Sequence, residues 1–370
     1  MSENITQPKK TAEEKLYSDE KIDTSIYKCP NCGGESVFDA KTQKMRCLYC
    51  DSTFDVKNEE KVTEKDLDEL LDNAKIWNEA EVYQCKTCGA KEIIDNHEVA
   101  ISCPFCGTNN VVKTEEIAGL KPQGVVPFKI DKERAGKIAT NWARRKFYAP
   151  RDFKKSATPE KISGIYNPVF AFDVETKNTY KGRLGKNYTR TSTVNGKVVT
   201  HTETRYFNIS GEKNVNFDDY PIQASSNMST ATIKEISPFP TNDAPAYKTE
   251  YLRGYSASAY NKDGKQCWSE CQQLMKNDIE REILRKYDYT FKEYLDVKTA
   301  ILKQKYKYVL VPVYVGHCKY RGKLYNFFVN GSTGKITGKT PVSGWKVFFT
   351  VLLGLLIVGG IVFLSMYFGD

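Results

Sequence analysis

The most apolar stretch of the chain lies close to its C-terminal end. Residues 347–368 (VFFTVLLGLLIVGGIVFLSMYF) form a run of 22 without a charged side chain. A helix of that length, at about 1.5 Å per residue, crosses about 30 Å of lipid hydrocarbon. Trp345 and Tyr367 lie at its two ends, and such rings favour the headgroup level. The run predicts a single transmembrane helix over residues 347–368, with a buried core helix as the alternative.

The charges beside this run predict its orientation. Lys335, Lys339 and Lys346 precede it, whereas Asp370 follows it. Basic flanks stay on the cytoplasmic side of a membrane, and the first 20 residues are too polar for a signal peptide. We therefore expect a single-pass protein of the cell membrane, held in the lipid bilayer by its C-terminal helix, with the N-terminal body in the cytoplasm. One span without ionisable groups disfavours transport.

Residues 120–340 alternate between helix and strand patterns. The spacing of apolar positions predicts helices over residues 131–147, capped by Asp131, and over residues 265–285. Period-two alternation predicts strands, and Asn195-Gly196 is a strong signal for a two-residue hairpin turn. The predicted strands cover residues 124–130, 188–194, 197–207, 306–320, 323–330 and 335–338, the last three as a meander. The fold class is therefore α+β, with an antiparallel sheet in a cytoplasmic body.

Two polar segments lie outside this body. Residues 1–26 are charged and lack apolar periodicity, so we expect a disordered leader. Residues 56–82 form a linker, within which residues 63–81 predict a short amphipathic helix. Its apolar face comprises Leu67, Leu70, Leu71, Ala74 and Trp77.

Eight of the 11 cysteines fall into four Cys-x-x-Cys pairs that repeat along the chain. In order, they are Cys29, Cys32, Cys47, Cys50, Cys85, Cys88, Cys103 and Cys106. A gap of 14 residues separates the two pairs in each half, and a shift of 56 positions superimposes the halves. The shift also aligns Gly33 with Gly89. The chain thus contains an internal duplication, which we call the first cysteine unit (residues 27–55) and the second cysteine unit (residues 83–112).

This cysteine spacing is typical of zinc ribbons. Two thiolates separated by two residues bind one side of a tetrahedral ion, and a second pair arriving across a hairpin closes the site. Gly33 and Gly89 allow a tight turn after each first pair. We predict two structural Zn²⁺ ions per chain, with all eight cysteines as ligands and no coordination position left for catalysis. Reducing conditions disfavour disulfides; iron–sulfur clusters and redox-active dithiols are the alternatives.

The other cysteines and the histidines form no catalytic pattern. Cys267 and Cys271 lie four residues apart on a predicted helix. They either share a metal ion with Cys318 or are small buried apolar residues. The three histidines are His97, which we expect on the surface, His201 and His317. No histidine has an acid–base or nucleophile setting, and no phosphate-binding glycine loop is present, so we predict no enzymatic activity.

The charge pattern gives little support for nucleic-acid binding. A net charge of +9 arises from 55 basic and 46 acidic residues spread along the chain. The hairpins of the cysteine units mix charges, as where Glu92 follows Lys91, and such surfaces bind phosphates poorly. Residues 144–146 and 151–155 are basic; they either attract anionic lipid at the inner leaflet or form a solvated helix end.

Longer segments resemble a known family. The motifs YKCPNCGG, MRCLYC, YQCKTCG and ISCPFC are similar to those of bacterial proteins described as TFIIB-type zinc-ribbon membrane proteins, sometimes labelled primosomal helicase-like. The resemblance continues through GVVPFKIDKERAGKIATNW, ISPFPTNDAPAYKTEYLRGYSASAY and YVLVPVYVGHCKYRGKLYNFFVNGSTGKITG, and covers most of residues 27–368. Members accompany SPFH-domain (flotillin-like) and phage-shock-type membrane stress proteins, so the resemblance implies a protein partner of that kind. The first unit has Asp51 at the position where the second unit has Gly107, so the two units need not bind the same surface.

Together these patterns favour a non-enzymatic, membrane-anchored zinc-ribbon adaptor. It would dock or recruit a protein partner at the cytoplasmic face of the membrane, in a membrane stress response if the resemblance extends to function. The main alternative is a membrane-tethered zinc-ribbon protein that binds nucleic acid, as the transcription-factor-like motif suggests. A ligand sensor or an unrecognised enzyme in the body is a third possibility.

Overall fold

The computed structural model describes residues 28–56, 60–72, 81–94, 103–109, 111–113, 121–156, 162–194 and 197–367. Within them the chain has a mixed α+β fold with antiparallel sheets. Two cysteine clusters lie near the N-terminus, and one apolar helix lies at the C-terminal end. The predicted fold class is confirmed at this level, whereas the predicted leader over residues 1–26 lies outside the described residues.

The first cysteine unit forms a small antiparallel sheet that is seated on the body. Its strands are β1 (Ser36–Asp39), β2 (Lys44–Cys47) and β3 (Thr53–Phe54). Phe38 and Met45 are buried in the same apolar cluster as the body residue Tyr251. The Phe38 and Tyr251 rings are 5.3 Å apart in an edge-on contact, and the Phe38 N–H donates to the Arg253 carbonyl at 3.2 Å. The unit therefore has a fixed position on the body.

The linker helix begins later in the chain than predicted. Strand β4 (Lys65–Asp66) pairs with a long strand of the body, and helix α1 (Leu67–Asp72) begins directly after it. Because residues 65–66 are extended in this ladder, the helix cannot begin at residue 63. Leu67 and Leu70 are buried, as the predicted apolar face requires. The last part of the predicted helix lies outside the described residues.

A second, larger sheet contains both the body and the second cysteine unit. Its strands are β4, β5 (Glu81–Cys85), β6 (Lys91–Ile94), β7 (Val111–Lys113), β8 (Gly124–Val125), β9 (Ile162–Val194), β10 (Lys197–Gln223), β11 (Ser256–Ser258), β12 (Phe291–Tyr320), β13 (Lys323–Asn330) and β14 (Ile336–Gly338). Within the described residues the order is β14-β13-β12-β9-β11-β6-β5-β7; β10 pairs with β9, and β4 and β8 pair with β12. Strand β11 is parallel to β9 and antiparallel to β6. The short strand β11 thus joins the second cysteine unit to the body.

Three strands of this sheet are exceptionally long. β9 has 33 residues, β10 has 27 and β12 has 30, with β9 in the middle. Helix α5 (Gly264–Leu284) packs along one face of these strands through side chains four residues apart. The buried side chains of α5 are Cys267, Cys271, Met275, Ile279 and Ile283. The opposite face carries exposed cross-strand ion pairs such as Lys181–Asp296, as expected of a solvated sheet face.

Most predicted elements are confirmed in type, with changed boundaries. The remaining helices of the body are α2 (Lys132–Arg145), α3 (Arg151–Ser156) and α4 (Thr230–Ile236). The Asp131 side chain accepts from the Arg134 N–H at 2.6 Å, so the predicted cap of α2 is confirmed. β9 and β10 form the predicted hairpin, and β12, β13 and β14 form the predicted meander. The strand predicted over residues 124–130 is limited to β8, because Pro127 has no N–H for a ladder.

Helix α6 (Gly344–Tyr367) begins three residues before the predicted span. Residues Gly344–Leu364 have a mean hydropathy of 2.8, and none of the most apolar window is buried against the body. In the described part of the chain, one helix is thus long and apolar enough to cross a membrane. An apolar surface left uncovered on every side fits lipid as its surroundings.

A buried lysine holds the linker against the long strands. The Lys307 side chain is only 2% exposed, and its Nζ lies 2.7 Å from Asp219 Oδ1 and 2.7 Å from Asn242 Oδ1. Asp173 and Glu64 lie at 3.6 and 3.7 Å. The Asp219 N–H also donates to Asp173 Oδ1 at 2.7 Å. Burial raises the pKa of Asp173 to about 6, whereas the nearby charge of Lys307 acts in the opposite direction. The ionised form of this carboxylate therefore depends on the lysine.

We predict that Lys307→Met lowers the free energy of unfolding by about 3–5 kcal/mol, because it leaves partly buried carboxylates without their buried cation. A urea titration of the full chain in detergent measures the change. The matched control is Lys303→Met, which removes an exposed ion pair with Glu175 and should cost about 1 kcal/mol or less. Adding Asp219→Asn to Lys307→Met should recover part of the loss. Equal effects of the two lysine variants would contradict the assignment.

Candidate metal centres

The four Cys-x-x-Cys pairs adopt one backbone conformation. In each, the N–H of the first cysteine donates to a carbonyl five residues later. The bonds run from Cys29 to Gly34 (2.8 Å), Cys47 to Ser52 (2.9 Å), Cys85 to Ala90 (2.8 Å) and Cys103 to Thr108 (2.8 Å). The residue after each second cysteine has a positive φ: Gly33 at 71°, Asp51 at 55°, Gly89 at 77° and Gly107 at 71°. Asp51 therefore replaces glycine without changing the turn, because aspartate tolerates this region better than most residues.

In the first cysteine unit this conformation gathers four sulfur atoms. The Sγ atoms of Cys29 and Cys50 are 3.6 Å apart, and those of Cys32 and Cys47 are 3.5 Å apart. All four lie within 4.8 Å of one another. Sulfur atoms about 2.3 Å from one zinc ion at tetrahedral angles are about 3.8 Å apart. The cluster therefore has the size of a four-sulfur site and can hold a metal ion.

The second cysteine unit repeats this geometry 56 positions later. Cys85 and Cys106 have their Sγ atoms 3.7 Å apart, as do Cys88 and Cys103. These four sulfurs also lie within 4.8 Å of one another, so a second metal ion can be held here. The structure thus brings together all eight predicted ligands, in the two predicted groups of four.

The thiols of both clusters differ in their readiness to ionise. Hydrogen bonding with Ser52 lowers the pKa of Cys50 to about 6. At Cys85 burial acts in the opposite direction, but hydrogen bonds from the backbone of Cys88 and Thr87 lower the pKa to about 7. Burial raises the pKa of Cys103. Each cluster therefore has one thiol that is readily available as a thiolate, the form that binds a metal. Four sulfur ligands fill a tetrahedral ion, which makes such a site structural and not catalytic.

The first cluster is partly exposed to solvent. Cys32 and Cys50 are exposed, whereas Cys29 and Cys47 are buried. Between Cys47 and Cys50, the side chains of Leu48 and Tyr49 are 54% and 76% exposed. The two side chains are neighbours, so together they form a small exposed apolar surface beside the cluster. Sequence reasoning missed them, because a Cys-x-x-Cys pattern does not indicate which of its sides faces solvent.

The second cluster is more deeply buried than the first, although Cys88 is exposed. Cys85, Cys103 and Cys106 are buried, together with Phe105, in an apolar cluster with β-strand residues such as Val311. Strand β6 extends this contact by pairing with β11. The unit predicted as a separate module over residues 83–112 therefore shares the core and the sheet of the body.

Two residues beside the second cluster have surroundings that the sequence did not predict. Glu92 was expected on a mixed-charge surface, but it is buried, and burial raises its pKa to about 8. Its carboxyl group lies within hydrogen-bonding reach of Ser256 and Cys103. His317 packs against Gly107: a Cβ atom built on this glycine would lie 2.3 Å from His317 Nε2. Such neighbours fix the position of metal ligands.

The three remaining cysteines do not form a third metal group. Cys267 and Cys271 lie in the cluster under α5, and burial raises the pKa of both. Cys318 lies in a different apolar cluster. Within the described residues, groups with metal-binding geometry occur only at the two cysteine units, so a site shared by these three is excluded there. His97 lies outside the described residues, and His201 is exposed on β10.

We predict two metal ions per chain and unequal effects on stability when either site is removed. Cys29→Ser with Cys32→Ser should lose one ion and loosen β1–β3, whereas Cys85→Ser with Cys88→Ser should lose one ion and destabilise the whole body. Structural zinc binding in small domains is worth on the order of 10 kcal/mol, so the second loss should be large. Elemental analysis counts the ions, and thermal unfolding of the full chain in detergent compares the variants. Equal melting temperatures would contradict the buried setting of the second site.

We also predict that Gly107→Ala destabilises the protein more than Gly89→Ala. Both glycines have a positive φ, which costs alanine about 1–3 kcal/mol. Gly89 has open space around the new methyl group, whereas at Gly107 the group meets His317, which adds about 1–3 kcal/mol. A double-mutant cycle with His317→Ala, read by thermal unfolding, should show coupling at Gly107 and none at Gly89. Coupling of the same size at both positions would contradict the contact.

Comparison with known proteins gives one similarity across most of the chain. The uncharacterized protein YdjG of Bacillus subtilis (strain 168) is 28% identical over 326 residues, which is 87% of this chain and 91% of that protein. No family model matches the chain, and no solved structure matches it. The similarity therefore covers most of both chains.

Proposed function

We propose that this protein is a non-enzymatic adaptor, anchored in the cell membrane by α6 and carrying two structural zinc ribbons. Its body lies in the cytoplasm, and the first cysteine unit docks a protein partner there. The observation that carries the proposal is the display of Leu48 and Tyr49 on a hydrogen-bonded turn beside a four-sulfur cluster.

Three features support zinc as the ion. The sulfur–sulfur distances of 3.5–3.7 Å in the paired contacts match tetrahedral zinc coordination. The duplicated Cys-x-x-Cys spacing is that of zinc ribbons, and a redox dithiol needs no second pair. The thiols also lie in a part of the chain that we place in a reducing compartment.

The exposed turn supports a protein partner. Tyrosine is among the residues enriched at protein interfaces, because its ring contributes contact area at a small entropic cost. Leu48 and Tyr49 project from a turn whose backbone is fixed by the Cys47–Ser52 hydrogen bond of 2.9 Å. A rigid turn loses little conformational freedom on binding. In the second cysteine unit the equivalent residues, Pro104 and Phe105, are buried, so docking through this turn is assigned to the first unit.

The position of α6 supports recruitment to a membrane. It is the described helix that can span a bilayer, and Lys335, Lys339 and Lys346 stand on its N-terminal side, which favours a cytoplasmic body. The resemblance to TFIIB-type zinc-ribbon membrane proteins adds SPFH-domain (flotillin-like) proteins as the class of partner, and membrane stress as the setting.

We predict that Leu48→Ser with Tyr49→Ser abolishes partner binding while both metal ions are retained. The tagged full chain is captured from detergent-solubilised cell membranes, and bound proteins and nucleic acids are identified. The wild type should recover a defined protein, and the variant should lose it at least about tenfold, the effect of removing roughly 1.4 kcal/mol of contact energy.

The matched control is Tyr188→Ser with Val198→Ser, which removes an aromatic and an aliphatic side chain that are also exposed, at the far end of the β9–β10 hairpin. This variant should keep the partner. Recovery of nucleic acid without a protein partner would overturn the adaptor proposal in favour of the tethered nucleic-acid-binding alternative. Loss of the partner in both variants would overturn the assignment to the first cysteine unit.

A further inference from the structure

Several cations near the start of α6 have no carboxylate partner within the described part of the chain. On the long strands, many basic side chains pair with carboxylates on neighbouring segments, although Lys213 and Lys298 have none within 4.0 Å among the described residues. The pairs are Lys177–Glu212, Lys181–Asp296, Arg183–Glu293, Lys186–Asp288 and Lys303–Glu175. Near α6, four cations on α2 and α3 and one on a hairpin turn have no carboxylate within 4.0 Å among the described residues. These are Arg144, Arg145, Arg151, Lys155 and Arg321.

The segment from α2 to α3 is fixed to the start of α6. Lys346 Nζ donates to the carbonyls of Phe147 at 2.8 Å and Ala149 at 2.7 Å. The Ser343 N–H donates to the Tyr148 carbonyl at 2.9 Å. Residues 144–155 hold six basic residues and one acidic residue, a net charge of +5. This basic segment therefore lies at the level where α6 would enter a membrane.

A cleft lies beside α6, between its first turns and the β12–β13 turn. It is lined by Tyr320 and Arg321 from the β12–β13 turn, by Trp345 and Phe348 from α6, and by Val342 before α6. The guanidinium group of Arg321 lies 5.5 Å from the centre of the Tyr320 ring. The cleft thus combines one unpaired cation with an apolar wall that continues into α6.

The backbone at this turn is strained for the residue it holds. Arg321 and Gly322 are the two turn residues between β12 and β13, with φ of 48° and 76°. Two-residue turns with both φ values positive favour Asn-Gly and similar pairs. An arginine in this region costs about 1–3 kcal/mol relative to its preferred conformations. The turn would be more stable with asparagine, so the fold itself does not require an arginine at this position.

We propose that anionic phospholipid binds this surface, which we call the headgroup collar: residues 144–155 together with the Arg321 cleft. The inference rests on the membrane anchoring proposed above and extends it to the choice of lipid. One headgroup phosphate is bound by the Arg321 guanidinium, whose paired N–H groups match phosphate oxygens, while an acyl chain follows Trp345 and Phe348. Residues 144–155 attract further anionic lipids around the helix.

Exposed aromatic side chains in the collar favour lipid over a soluble polyanion. Phe147 is 66% exposed and lies in an edge-on contact with Tyr148, next to the basic residues. Aromatic rings beside unpaired cations suit the boundary between headgroups and hydrocarbon. The tether also holds the collar against a bilayer permanently, so lipid is available there at a high local concentration.

The test counts phospholipids that stay bound to the full chain. The protein is reconstituted in vesicles of phosphatidylcholine and phosphatidylglycerol in equal amounts, transferred to mild detergent, and analysed by native mass spectrometry. The wild type should retain phosphatidylglycerol in preference to phosphatidylcholine. The variant Arg321→Asn should lose one tightly held lipid. A triple variant, Arg144→Gln with Arg145→Gln and Arg151→Gln, should lose most of the other lipids. We expect the affinity to fall about fivefold for each charge removed.

Two comparisons separate lipid binding from folding and from overall charge. Arg321→Asn should keep or raise the melting temperature, because asparagine suits the turn, so its lipid loss cannot come from unfolding. The control Lys265→Gln with Lys276→Gln and Lys298→Gln removes the same charge from exposed lysines far from α6 and should keep the lipids. Equal retention of both lipids by the wild type, or equal loss in the control, would overturn the collar.

Carbonate extraction of the same vesicles tests the anchoring separately. A chain that is extracted from the vesicles overturns both the anchoring and the collar. A chain that stays in the vesicles but does not prefer phosphatidylglycerol overturns the collar alone and leaves the adaptor proposal standing.

Discussion

The antiparallel pairing of β9 with β12 joins all the other parts of the large sheet. Its register runs from Gly185 opposite Phe291 to Ile162 opposite Gly316. β10 pairs with β9 from Val169 to Val194, the linker strand β4 and strand β8 pair with β12, and β11 connects β9 to the second cysteine unit. A shift of one residue in this ladder would turn the face under α5 towards solvent. The positions of both cysteine units therefore depend on a register set far from the cysteines.

The two cysteine units show how one local chemistry serves two different environments. The backbone turns are the same in both units, and the paired sulfur distances lie between 3.5 and 3.7 Å, which suits a tetrahedral ion. Their surroundings differ: the first unit leaves Leu48 and Tyr49 in solvent, whereas the second buries Phe105 in the body. A duplication of this kind can keep one copy for stability and release the other for binding.

The sequence was most informative where the structure is determined locally. The cysteine spacing predicted both groups of four, and Asp131 predicted the start of α2, because each depends on residues a few positions away. The burial of Glu92 and the contact of Gly107 with His317 could not be predicted, since they depend on strands that are distant in the chain. Strand length was also missed: β12 begins at Phe291, where exposed residues on both faces hide the alternation. Membrane insertion, zinc and the partner stay predictions.

The length of β12 determines how strongly a charged surface at one end of the strand can affect the other end. Its 30 residues, at about 3.3 Å each, span up to about 100 Å between Phe291 and the turn at Arg321. That is about three times the thickness of the hydrocarbon layer and roughly ten times the screening length in physiological salt. Salt therefore screens the end of the long strands at Phe291 from any charge near Arg321. The ion pairs at that end would form in the same way whether the lipid near Arg321 is neutral or acidic.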